Sequence, residues 1–267
     1  MPLFQLILIA VIQGVTEFLP VSSSGHLILL PGLTELDDQG PVIDVAVHVG
    51  TLCAVILYFW PDVRRALRGT GRLLRGHVDT GDAFLALCLA ISVIPVVLLG
   101  LVLHVTGLSA AMRSIEVIGW TMLIFGLVLY WADRTGAQAR DADRWSLRDA
   151  AIMGLWQAVA LIPGTSRSGI TISAARYLGY ARSDAARLAM LMSIPAILAS
   201  GVVLGADVTA RADWRALRDG ALAAALACGA ALVALGAMMR LLRRVSFTPF
   251  VIYRVILGIV LLAIAYG

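Results

Sequence analysis

The sequence contains no lysine: its 21 basic side chains are all arginine, set against 17 acidic ones. Charged residues make up only 14% of the 267 and aromatic residues 7%, while 60% are hydrophobic. A soluble domain carries roughly 45–50% apolar and about 25% charged residues. So few polar side chains cannot cover the apolar surface of a water-soluble globule of this size, and lipid is the natural solvent for the chain. The missing lysine carries no mechanism. Nor does the net charge of +4 point to nucleic acid, because the arginines sit in short runs between apolar stretches, as membrane flanks do, with no interleaved aromatics.

Cysteine is scarce as well. Cys53, Cys88 and Cys228 lie inside apolar segments without C-x-x-C spacing, which excludes a disulfide framework and a thiolate metal site and leaves small buried hydrophobes. The chain has no G-x-x-x-x-G-K-[ST], no H-E-x-x-H and no G-x-S-x-G, so the common soluble nucleotide, zinc-protease and serine-hydrolase sites are absent. The N-terminal stretch is apolar but lacks a basic flank and is interrupted by Glu17, which argues against a cleaved signal peptide.

Six stretches are expected to span the bilayer: Val42–Trp60, Ala83–Leu103, Ile115–Trp131, Leu188–Gly205, Ala221–Met239 and Phe250–Tyr266. Each is near the roughly 20 residues that a helix needs to cross the hydrocarbon core. Leu3–Leu30 and Ala150–Leu178 are apolar too, but Pro, Gly, Ser and charge break both in the middle. Arg64, Arg65, Arg68, Arg72 and Arg75 place Asp62–Asp82 in the cytoplasm, whereas Glu35, Asp37 and Asp38 suit the outside. Counting forward puts His104–Ser114 outside, and Asp133–Arg148, Arg182, Arg187 and Arg240–Arg244 inside. The count closes only if Ala150–Leu178 enters and leaves on the cytoplasmic side and Leu3–Leu30 dips in from the other.

Two re-entrant hairpins of opposite orientation are the product of an inverted repeat. Gln13, Ser22, Ser24 and Gly25 have the same mutual spacings as Gln157, Ser166, Ser168 and Gly169, with Ser23 facing Arg167. The expected fold is therefore all-α: one polytopic membrane bundle over residues 1–267, with an inverted-topology repeat (halves 1–132 and 149–267) and two re-entrant helical hairpins.

The chemistry concentrates in the two broken stretches. In the first, Gln13 and Glu17 share a helix face, and Pro20, Ser22, Ser23, Ser24, Gly25 and His26 follow. The second offers Pro163, Gly164, Thr165, Ser166, Arg167, Ser168, Gly169 and Thr171. An acid or arginine at membrane depth costs on the order of 2.5–3.5 kcal/mol, so Glu17 and Arg167 need a partner or a function. The plain alternatives are a structural Glu17–Arg167 pair, and serines that satisfy backbone groups freed where helices break. An arginine, hydroxyls and exposed amides suit phosphate oxygens. A glutamate beside them suits a divalent cation bridging to a diphosphate, and a serine near a histidine offers a nucleophile and a proton shuttle. Phosphoryl transfer is the best fit. His48, within an apparent span, reads as a structural hydrogen-bonding residue, and His77 and His104 have no visible partners.

The stretches QGVTEFLPVSSSGHL and PGTSRSGIT closely resemble the two signature motifs of the bacterial undecaprenyl-diphosphatases, also called bacitracin-resistance proteins. The likeness runs over nearly the whole chain, with V-H48-V-G50-T51 and S246-F-T-P249-F-V-I-Y253-R254 as further landmarks. It implies an inner-membrane phosphatase converting undecaprenyl diphosphate to undecaprenyl phosphate and phosphate, recycling the carrier lipid for the cell wall. It also implies a divalent cation (Mg2+ or Ca2+), a site facing the periplasm, and leaves a homodimer open. By resemblance Glu17 engages the metal or positions water. Gln13 holds a place that is Glu in many members, so any mechanism with two acids is in doubt. Ser23 and His26 match the nucleophile and acid/base, in an order left open. Arg167 matches the diphosphate clamp, and Ser22, Ser24, Thr165, Ser166, Ser168 and Gly169 are further substrate ligands. The rival reading is a lipid flippase or secondary transporter built on the same inverted repeat.

Overall fold

Runs of Leu, Ile, Val and Ala leave the backbone no polar partner in lipid but itself, so they close into helices. A computed structural model describes residues 1–28, 30, 40–108, 112–209 and 214–267. Glu35, Asp37 and Asp38, and part of His104–Ser114, lie outside these residues.

Eleven α-helices are described. They are α1 Leu3–Thr16, α2 Ser23–Leu27, α3 Gly40–Tyr58, α4 Trp60–Leu73, α5 Gly81–Thr106, α6 Ile115–Thr135, α7 Leu147–Ala158, α8 Arg167–Tyr177, α9 Arg182–Thr209, α10 Trp214–Leu241 and α11 Thr248–Tyr266. No strand occurs among the described residues. Helices α3, α5, α6, α10, α11 and the first part of α9 (Arg182–Val202) are long and apolar enough to cross a membrane; each of the six expected spans overlaps one of them, Val42–Trp60 running past the end of α3 at Tyr58 and Leu188–Gly205 past Val202. The chain is an all-α, multi-pass membrane protein. Much of the arginine-rich Asp62–Asp82 segment is the helix α4, started by Pro61 in its first turn, where a fixed φ and a missing N–H cost nothing.

Local chemistry sets several helix starts. Thr80, Ser114 and Ser146 each accept a backbone N–H at 3.2 Å ahead of α5, α6 and α7, a cap worth about 1 kcal/mol. Small residues then allow close packing. A Cβ added at Gly50 on α3 would lie 2.2 Å from the Ala224 carbonyl oxygen, so α3 and α10 touch backbone to backbone, as membrane helices without a hydrophobic drive between them commonly do.

The two broken stretches exchange partners. Helix α1 packs on α10, and its counterpart α7 packs on α5. Each broken stretch thus leans on a long helix distant from it in the chain. Helices α6 and α11 pack on one another, and α6 also braces α8. This brings the turn after α1 and the turn before α8 together in the middle of the bundle.

Candidate functional site

Helix α1 ends at Thr16, and the chain turns through Glu17–Val21 before α2. Helix α7 ends at Ala158, continues as one 3-10 turn over Val159–Leu161, and turns before α8. Ser22 and Ser166, each just ahead of its helix, have positive φ of 71° and 67°. Each hydroxyl contacts that of the serine two places on, at 3.0 Å for Ser22–Ser24 and 3.1 Å for Ser166–Ser168. The turns also bind one another: Ser168 Oγ donates to the Leu19 carbonyl at 2.9 Å, and Gly164 N–H donates to Ser24 Oγ at 3.1 Å. Gly164 has φ 85°, and a Cβ there would fall 2.1 Å from Thr121 Oγ1, so only glycine fits.

Between the turns lies a cavity of about 170 Å³ lined by Glu17, Ser22, Ser23, Ser24, Ala160, Gly164, Ser166 and Arg167. Glu17 is its centre. Its Oε1 accepts from Arg167 Nη2 at 2.8 Å, and its Oε2 accepts from Gln13 Nε2 at 2.8 Å and Ser23 Oγ at 3.1 Å. Arg167 Nη1 donates to the Ser193 carbonyl at 2.9 Å, which aims the guanidinium across the cavity. The ion pair is mostly buried, with side-chain exposures of 17% for Arg167 and 10% for Glu17. A pair so placed contributes little net stability, whereas loss of one partner strands a buried charge.

The two turns share a backbone form but not their chemistry. Leu161 stands where Glu17 stands in the first half, and Arg167 where Ser23 stands. Gln157, the counterpart of Gln13, is fully buried and neither of its amide atoms has a partner among the described residues. The acid comes from the first broken stretch and the guanidinium from the second, so the site exists only where the two turns meet.

Of the eleven residues expected at the site, Glu17, Ser22, Ser23, Ser24, Ser166 and Arg167 line the cavity. Gln13 stands one hydrogen bond behind it. Ser168 and Gly169 support the second turn, the glycine N–H donating to Ser166 Oγ at 3.1 Å. Thr165 is fully buried, and its hydroxyl has no partner among the described residues. His26 turns away: its Nδ1 lies 2.8 Å from the Ser22 carbonyl oxygen and its Nε2 2.6 Å from the Tyr253 hydroxyl on α11. A carbonyl can only accept, so Nδ1 carries the proton, and in the neutral ring the phenol donates to Nε2.

Two residues join the site that the motifs did not assign to it. His48 on α3 places Nε2 3.1 Å from Gln13 Nε2 and 3.9 Å from Glu17 Oε2. Its Nδ1 is 2.7 Å from the Asp44 carbonyl oxygen, so in the neutral ring Nε2 accepts the second amide hydrogen of Gln13. Its position in V-H48-V-G50-T51 is the one signal the sequence offers. The other is Arg254, fully buried beneath both turns.

The donors around Glu17 fit a divalent cation held chiefly by its ligand. Among the described residues no group of three or more His, Cys, Asp or Glu side chains is arranged as a metal cage. Mg2+ needs only one or two carboxylates when phosphate oxygens complete its shell. The buried Gln13 Oε1 has no hydrogen-bond partner among the described residues and adds an unclaimed oxygen donor near that carboxylate.

Comparison with known proteins agrees with this arrangement. Residues 6–260 match the family described as bacitracin resistance protein BacA. A protein of Ruegeria pomeroyi named undecaprenyl-diphosphatase is 70% identical over 267 residues, covering all of both chains. One of the same name from Dinoroseobacter shibae is 69% identical, again over the whole of both. Undecaprenyl-diphosphatase 1 of Rhodospirillum rubrum is 46% identical, covering all of this chain and 96% of that one. With both motifs inside the matched region and their residues gathered around one cavity, the chain belongs to the bacitracin resistance protein BacA family.

Proposed function

We propose that this membrane protein hydrolyses undecaprenyl diphosphate to undecaprenyl phosphate and inorganic phosphate. The observation that carries the reading is the Ser23–Glu17–Arg167 constellation: a hydroxyl donating to a carboxylate that is itself paired with a guanidinium, all facing one small polar cavity. Relatives up to 70% identical over their full length bear the name of that activity. The cavity is below the 300–1,000 Å³ typical of sites that enclose a drug-sized ligand, which suits a polar headgroup whose prenyl tail stays in lipid.

In this mechanism Arg167 swings from Glu17 to the diphosphate, leaving the carboxylate free to take the Ser23 proton. Ser23 Oγ attacks the terminal phosphorus as the bridging P–O bond breaks, the departing undecaprenyl phosphate takes the proton from Glu17, and the hydroxyls of Ser22, Ser24 and Ser166 and the Gly164 N–H hold phosphate oxygens. Ser23 is the preferred nucleophile because it lines the cavity and already donates to Glu17, whereas His26 is engaged with Tyr253. Arg167 then stabilises charge developing on the equatorial oxygens. Water, deprotonated by the re-ionised Glu17, attacks the phosphoserine; its P–Oγ bond breaks, Ser23 recovers the proton from Glu17 and inorganic phosphate leaves. Mg2+ or Ca2+ would be held by Glu17, with Gln13 Oε1 next to it, and would neutralise diphosphate charge.

We further propose that the bundle is an inverted repeat of halves 1–132 and 149–267, with two re-entrant hairpins, in the bacterial inner membrane. The equivalent Ser22 and Ser166 backbones and the exchanged packing of α1 and α7 support the repeat. Arginine-rich segments at the α4 and α6–α7 end support placing that end in the cytoplasm, and the cavity is proposed to open to the periplasm. A homodimer is the assembly proposed with it.

The test is phosphate release from a C55 polyprenyl diphosphate by purified protein, with and without chelator, beside Arg167→Ala. Release that needs metal and drops by about 10³-fold or more in the variant is expected. A well-folded protein that releases no phosphate would turn the reading to lipid transport.

A further inference from the structure

Arg176 and Arg254 are the two largest side chains with no exposed surface, and they are treated differently. Arg176 meets Asp133 at 3.0 Å, as a buried cation usually must. Arg254, on the membrane-spanning α11, has no acidic partner among the described residues. It donates only to carbonyls: Gly164 at 3.1 Å, Met122 at 3.3 Å, and Pro20 and Thr121 at 3.4 Å. Pro20 and Gly164 are equivalent positions in the two turns, so one guanidinium ties both together.

Carbonyl dipoles solvate a cation without cancelling its charge. An amide or hydroxyl could tie the same turns without a buried ion, so the full charge calls for a reason of its own. The cavity supplies one. Gly164 both lines it and accepts from Arg254, and a Cβ on Gly169 would be 3.0 Å from Arg254 Nη1. A single layer of backbone separates the guanidinium from the site. Within the cavity Glu17 and Arg167 cancel, so Arg254 makes the neighbourhood net positive.

We propose that Arg254 is the second cation of the diphosphate site, a positioning residue that holds the two turns in register and whose uncancelled charge is balanced by the anionic headgroup. This rests on the phosphatase reading for the identity of the ligand. It acts through the backbone and touches no reacting atom. A cation behind one layer of turns, in an environment drier than water, still attracts an anion appreciably.

Charge and donor capacity separate in two variants of the full-length protein in detergent. Arg254→Lys keeps the charge and loses most of the donors. Arg254→Gln keeps amide donors and loses the charge. Binding of inorganic diphosphate is measured by calorimetry, and KM and kcat on the C55 diphosphate beside it. We expect Arg254→Gln to weaken diphosphate binding and raise KM by about tenfold or more, and Arg254→Lys to stay within about threefold of wild type. Equal losses in both variants, or wild-type affinity in Arg254→Gln, would reduce Arg254 to a backbone tie and overturn the proposal. Arg254→Met repeats the neutral case if the Gln variant does not fold. Because binding is read without turnover, a wild type that binds diphosphate and hydrolyses nothing sinks the phosphatase reading alone. A wild type that does not bind diphosphate overturns the Arg254 assignment.

Discussion

Ser22 and Ser166 adopt the same left-handed backbone, φ 71° and 67°, at the same place in two turns that lie side by side. A residue with a Cβ pays roughly 1–2 kcal/mol for that conformation. Two independent strained turns of matching shape, both lining one cavity, mark the point where the two broken stretches converge.

Ser166→Gly and Ser166→Ala should therefore part company. Glycine relieves the backbone while losing the hydroxyl that receives the Gly169 N–H, so its melting temperature should stay near wild type. Alanine keeps the strain and loses the cap, destabilising by about 1–2 kcal/mol. Thermal unfolding in detergent measures this, and equal stability of the two variants would mean that the strain is not felt.

Ser23 and His26 should separate in kinetics. Ser23→Ala removes the hydroxyl that donates to Glu17 and should abolish turnover, at least 10³-fold. His26→Gln leaves the cavity lining intact and should lower kcat by tenfold or less. A pre-steady-state burst of phosphorylated protein, absent in Ser23→Ala, would identify the nucleophile. The reverse ranking of the two variants would move the role to His26.

Glu17→Gln keeps the shape of the pair with Arg167 and removes its charge. Phosphate release should fall by at least 10²-fold, and the cation concentration for half-maximal release should rise in whatever activity remains. An unchanged cation titration would take Glu17 out of the metal shell while leaving its role as base open to the same rate measurement.

At the far end of the bundle, Asp149 at the start of α7 accepts from Arg140 at 2.5 Å and from the Tyr180 hydroxyl at 2.7 Å. Burial pushes its pKa up, but the bonds from Arg140, Tyr180 and Ser146 outweigh that and hold it below the ordinary carboxylate value. Because the folded pKa is depressed, the stabilisation is present above the unfolded value of about 3.9 and is lost as pH falls through the folded one. Asp149→Asn should thus lower the melting temperature at neutral pH and shrink the drop seen in wild type below about pH 4. Parallel melting curves across that window would contradict it.

The six spans, the two broken stretches and the order of the two motifs were legible in the amino-acid sequence. Hydropathy over about 20 residues and a proline or glycine inside a helix are local properties that need no tertiary information. The same holds for Glu17 and Arg167, conspicuous because ionised groups are costly in lipid wherever the chain places them. What only the tertiary structure decided is which way side chains point and what lies across from them. The positive φ at Ser22 and the docking of α2 turn His26 toward Tyr253 instead of the cavity. The packing of α3 against α10 carries His48 to Gln13, and α11 delivers Arg254 beneath turns 234 and 90 residues away in the chain. Those contacts depend on helix rotation and backbone approach, which are settled by packing between distant segments, and no local pattern of residues encodes them.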